Sequence, residues 1–114
     1  MTLEIFLSKL TSEPLNVEFK ETIAVIEACY DYTPTAFTNG DTENAAGTNE
    51  GSCKIFAFGA INGLTEAQTL ACFGHFYRED VLQNPDGTDH ANIRNFIKHG
   101  WAVYSRVKSS FWSR

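Results

Sequence analysis

Apolar residues in this chain recur at helical spacing and are cut into short runs by helix breakers, and that combination constrains the fold more than any other feature. Leu3, Phe6, Leu7 and Leu10 fall at i, i+3, i+4 and i+7 on one helical face, with Thr2 placed to cap the first turn and Pro14 to end the helix. A second face runs through Phe19, Ile23, Ile26 and Tyr30; Asn16 is its predicted cap, and Glu18, Glu21 and Glu27 fall mostly outside the stripe. Thr65 and Gln68 have capping-box spacing and open the clearest helical pattern, which carries Leu70, Phe73, Tyr77 and Val81 as far as the Asn84-Pro85-Asp86-Gly87 turn. Thr88 or Asp89 is predicted to cap a further helix, with Ile93, Phe96 and Ile97 inward and Gly100 as its stop.

The stretch from Tyr32 has a different character. Thr33, Thr35, Phe37 and Thr38 favour extended backbone, and Asn39-Gly40 is a hairpin turn signal followed by a short polar return arm, Asp41 to Ala46. Ile55 to Ile61 is a continuous apolar run. Ser52 as N-cap and Asn62-Gly63 as stop favour a short buried helix there, with a strand as the alternative. In the tail, Val103, Val107 and Phe111 have i+4 spacing but β-friendly neighbours, so helix and strand stand equal. The fold class read from this pattern is α+β, predominantly α-helical: residues 1–114 as a single compact domain of about five helices with one short β-hairpin. At 114 residues the chain has room for one core, and nine Phe, four Tyr and two Trp supply its volume.

Charge narrows the range of partners. The formal net charge is −5, and residues 1–50 hold nine acids against Lys9 and Lys20. Such a front half repels phosphate backbones, and Arg106, Lys108 and Arg114 beside Trp112 make only a thin basic patch, so no nucleic-acid partner is expected. Cys29, Cys53 and Cys72 form an odd set without a CxxC pair, which fits free or buried thiols in a reducing cytosol. No apolar run reaches the roughly 20 residues of a membrane span, and the N-terminus lacks the pattern of a secretory signal. A glycine-rich phosphate loop, a GxSxG elbow and an HExxH pair are all missing from the sequence.

Three constellations carry chemistry. Cys53, at the predicted loop-to-helix junction, and His90, at the start of another helix, make a weak candidate pair for thiol catalysis; buried packing is the plainer reading of the cysteine. Cys72, His75 and Glu79 stand at i, i+3 and i+7 on one predicted helix and so share a face, but no fourth ligand completes a zinc site, so neither metal nor cofactor is expected. The third set is polar. Tyr77, Arg78, Asp80, His90, Asn92 and Arg94 are the candidate ligand-binding residues, Arg94 offering a planar fork to a carboxylate or phosphate. The competing reading has Asp80 or Glu79 paired with Arg94 as scaffolding. Asn39, Asn44 and Asn49 read as turn formers.

Four long strings have a distinctive wording: TPTAFTNG (Thr33–Gly40), NEGSCKIFAF (Asn49–Phe58), TLACFGHFYREDVL (Thr69–Leu82) and GTDHANIRNFIKHGW (Gly87–Trp101). With their order and spacing, they resemble the HopJ type III effector family over nearly the whole length. The resemblance implies an effector-like context, in which plant-pathogenic bacteria inject the protein into host cells, and it brings no catalytic residues with it. A helix beginning at Thr2 leaves almost no flexible Ser-rich leader. The expectation is therefore a bacterial cytoplasmic protein, with injection by type III secretion as the alternative. The function expected is a non-enzymatic binding or interaction module, taking a protein partner or a small ligand. The alternatives are a small thiol-dependent enzyme using Cys53 and a cytosolic small-ligand or anion-binding protein.

Overall fold

The computed structural model describes residues 2–32, 37–39, 42–44, 50–87, 89–100, 104–105 and 111–113. Helix α1 (Leu3–Ser12) starts as the sequence predicts: the Thr2 hydroxyl accepts from the Ile5 amide at 3.2 Å, and Phe6 and Leu10 are buried. Pro14 then opens a short 3-10 turn (Pro14–Asn16). Helix α2 (Phe19–Cys29) begins later than expected and is capped at Glu18, not at Asn16. Val17 is buried in an extended conformation between the two, which pushes the helix start along the chain. Glu21 reaches back to accept from the Glu18 amide at 3.0 Å, while the Asn16 side chain bonds Glu13.

α2 runs directly into β1 (Tyr30–Tyr32). The predicted hairpin is present as β2 (Phe37–Asn39) and β3 (Thr42–Asn44), antiparallel, with Phe37 opposite Asn44 and Asn39 opposite Thr42. The tail resolves toward strand where it is described. β4 (Tyr104–Ser105) pairs antiparallel with β2, and β5 (Phe111–Ser113) pairs antiparallel with β1. The expected hairpin is thus part of a three-stranded sheet ordered β3-β2-β4, beside a two-stranded β1-β5 ribbon. Val103, Val107 and the basic residues Arg106, Lys108 and Arg114 lie outside the described residues.

Residues 55–61 are helical, within α3 (Glu50–Ile61). This helix starts at Glu50, so Ser52 lies inside its first turn and is not its cap. α4 (Glu66–Ala71) has the capping box that Thr65 and Gln68 predict, with reciprocal bonds of 3.1 and 3.0 Å. The long helix expected from Thr65 to Leu82 is broken, however. Gly74 takes φ +60, and the chain resumes as a π-helix (Phe76–Val81) in which the Leu82 amide donates to the Tyr77 carbonyl at 3.0 Å, five residues back. The cause is a close approach: a Cβ on Gly74 would lie 2.6 Å from the Phe19 backbone nitrogen.

α5 (Ala91–His99) is opened by His90 at φ 51, with neither Thr88 nor Asp89 as its cap; Thr88 lies outside the described residues, and the Asp89 carboxylate is held by Arg94. Gly100, at φ 60, closes the helix as expected. Asn92, Ile93 and Phe96 make the inner face, and Ile97, expected inward, falls outside it and is exposed. The core gathers on α3. Phe56 meets the rings of Phe73 and Phe96 at centroid distances of 5.5 and 4.9 Å, and Phe58 meets Phe6 at 5.8 Å.

Candidate functional site

The first turns of α3 and α5, the start of α2 and the π-helix converge on a cavity of about 350 Å³. Among the described residues, Phe19, Phe73, Phe76 and Ile93 form its apolar wall, and Ser52, His90 and Asn92 supply polar groups. Gly51 and Ala91 complete the lining with little bulk. The glycine has a packing reason, since a Cβ there would press to 3.1 Å from the Phe19 ring.

Phe76 is the pivot of the wall. Its ring takes the edge of Phe19 at 5.1 Å and lies beside the imidazoles of His75 at 4.2 Å and His90 at 5.4 Å. The π-helix presents Phe76 and Asp80 together, and Asp80 Oδ2 sits 3.2 Å from His90 Nε2. Asp89 Oδ2 stands 3.8 Å from the same nitrogen. His90 itself is a non-glycine residue in the left-handed region, a conformation that costs energy and is held by its surroundings.

The sequence-predicted site residues separate into two groups. His90 and Asn92 reach the cavity, and Asp80 stands behind His90 as its partner. Tyr77 packs half-buried against the core. Arg78 is a strut: its guanidinium donates to the carbonyls of Pro14 at 3.2 Å and Val17 at 2.7 Å and stands 3.5 Å from Glu18 Oε1. Arg94 braces the loop before α5, donating to the Asn84 carbonyl at 2.8 Å and to the Asp89 carbonyl and carboxylate at 2.6 Å each. Its partner is therefore Asp89 and not Asp80 or Glu79. The hydrogen bond from Arg94 holds the Asp89 carboxyl below the usual carboxylate range.

The break at Gly74 also dissolves the face expected to join Cys72, His75 and Glu79. Cys72 is buried, and desolvation pushes its thiol up to about 12, while His75 and Glu79 are exposed. No group of three or more His, Cys, Asp or Glu that could hold a metal occurs among the described residues. Cys53 follows Ser52 in α3 but has 0% of its surface exposed, so the sulfur offers no accessible nucleophile. Sequence reasoning missed Phe19, Ser52, Phe73 and Phe76 as one site. Gly51 and Gly74 were the available signals: each lies against Phe19, the first tightly against its ring and the second too close to its backbone for a side chain.

No described helix is long and apolar enough to cross a membrane. No curated protein matches the chain significantly. The structure is similar to a crystal structure of an unknown function protein, VPA0580, with a TM-score of 0.98 and 54% sequence identity, covering 100% of this chain and 95% of that one. The HopJ type III effector protein family model matches residues 3–108. With nearly the whole length matched, the four sequence strings and the fold lead to one assignment: the chain belongs to the HopJ type III effector protein family.

Proposed function

We propose that this protein is a non-enzymatic binding module that holds a small ligand in the cavity beside His90. The observation that carries the reading is the cavity itself: about 350 Å³, lined by three phenyl rings and a few polar residues. Concave, mostly apolar sites with sparse polar anchors are the usual form of a small-molecule pocket. The residues 1–114 act as one domain in this reading, with the Arg78 and Arg94 clamps shaping the walls instead of contacting ligand. An anion-binding role through Arg94 loses support, because its Nε, Nη1 and Nη2 all donate to protein acceptors. Thiol chemistry at Cys53 loses support through its burial.

The reading suits a protein acting in the bacterial cytoplasm and equally one carried into a host cell by type III secretion. Cell fractionation with and without a working secretion apparatus separates the two. The binding reading is tested by titrating the isotope-labelled protein with a fragment set and following amide and methyl resonances by NMR. Ligands that shift Phe19, Ser52, Phe76 and the His90–Ile93 turn, and that lose affinity in Ala91→Phe, which narrows the cavity from its exposed edge, support it. Fragments that bind only elsewhere, or bind Ala91→Phe unchanged, overturn it.

A further inference from the structure

We infer that the cavity selects an uncharged aromatic ligand bearing a hydrogen-bond donor, of the phenol class; this rests on the binding reading above and specifies its occupant. The argument starts at the two ring nitrogens of His90. Nε2 faces Asp80 Oδ2 at 3.2 Å and Asp89 Oδ2 at 3.8 Å. Ionised carboxylates only accept hydrogen bonds, so in the neutral imidazole the proton sits on Nε2 and Nδ1 carries the bare lone pair. Nδ1 has no partner among the described residues. An imidazole in this tautomer asks a ligand for a donor.

The second polar anchor is Ser52, whose hydroxyl both donates and accepts and therefore complements a phenolic O–H without demanding a charge. The body of the ligand is set by the wall. Phe19, Phe73 and Phe76 offer edges and faces to a planar ring, an arrangement that gains about 0.5–1.5 kcal/mol per aromatic pair beyond area burial. A volume of about 350 Å³ leaves room for one substituted ring.

Charge argues against the obvious competitor, an aromatic carboxylate. Asp80 and Asp89 stand at the His90 side, and Glu18 stands 3.9 Å from His75, whose ring flanks Phe76. Both nearby guanidiniums, Arg78 and Arg94, already donate to protein oxygens. The cavity lining itself carries no guanidinium or ammonium group to pair with an anion.

Three probes of similar shape test the inference on the intact protein by NMR titration: phenol, toluene and benzoate. Phenol is expected to perturb Ser52, Phe76 and the His90–Ile93 turn and to bind roughly five- to tenfold tighter than toluene, the contribution of one neutral hydrogen bond. His90→Gly, which suits the left-handed backbone and removes the acceptor, should erase the advantage of phenol over toluene. Toluene or benzoate binding as tightly as phenol, or phenol keeping its advantage over toluene in His90→Gly, overturns the ligand class and leaves the pocket standing. Failure of all three probes to perturb the cavity residues overturns the class and the binding reading together.

Discussion

At the scale of single residues, Cys72 is set by its burial and Gly74 by the backbone packed against it. Burial raises the Cys72 thiol from 9.0 to about 12, with the Thr22 hydroxyl opposing the shift. In the unfolded chain the thiol ionises near 9.0 while the native thiol stays protonated, so the unfolded state binds fewer protons above that pH. Stability from this group is complete below pH 9 and declines from there toward 12. Urea midpoints measured at pH 8 and pH 10 should fall with pH, and Cys72→Ala should flatten the decline. Gly74 is constrained twice, by φ +60 and by the Phe19 backbone where a Cβ would sit. Gly74→Ala is expected to cost at least about 2 kcal/mol in thermal or chemical unfolding. Gly63→Ala, at φ +64 but with nothing within 4 Å of the added Cβ, should cost about half as much. Equal losses at the two sites would show that backbone conformation alone governs both.

Among the elements, local chemistry was legible and long-range contact was not. The Thr65–Gln68 box, the Thr2 cap and the Gly100 stop are short-range patterns, and each stands where the sequence puts it. The break between α4 and the π-helix was hidden because Phe73 and Tyr77 keep a helical interval across Gly74. The reason for the break is Phe19, far away in sequence. The α2 start was misplaced for a similar reason: Val17 is claimed by the core, leaving Glu18 and Glu21 to open the helix. Glu21 has a second duty, since both its oxygens lie 2.9 Å from Lys9 Nζ and tie α1 to α2. The Lys9 bond lowers the Glu21 pKa below 4.5, so this clasp stabilises at neutral pH and is lost as pH falls through that depressed value. Glu21→Gln keeps an acceptor for the Glu18 amide but loses the charge. The expected loss is about 0.5–1 kcal/mol at pH 7, and it should vanish in strong acid. Arg94→Ala acts on a loop, not on the core. Amide hydrogen exchange at residues 84–90 should accelerate while the unfolding midpoint moves little.

For the whole molecule, α3 is the element around which the rest is arranged. Phe56 is fully buried between Phe73 and Phe96, so Phe56→Ala should cost about 3–5 kcal/mol and show it as a cooperative shift in the entire denaturation curve. The cavity was partly visible in the sequence: all of its lining except Phe19 falls in three of the four distinctive strings. What no string could reveal is that these pieces meet. Arg78 and Arg94 looked like ligand contacts because a guanidinium is chemically suited to that work. The structure satisfies both with carbonyls of their own chain, an outcome decided by loop geometry.

The pairing of β5 with β1 also imposes an order on synthesis. The ribosome makes Tyr30–Tyr32 well before Phe111–Ser113, so the emerging chain displays the β1 edge until those later residues have been made. Anything that stalls or clips the chain before Phe111 leaves that edge open to a strand from another molecule. A stop codon placed there should divert the product from soluble lysate to inclusion bodies.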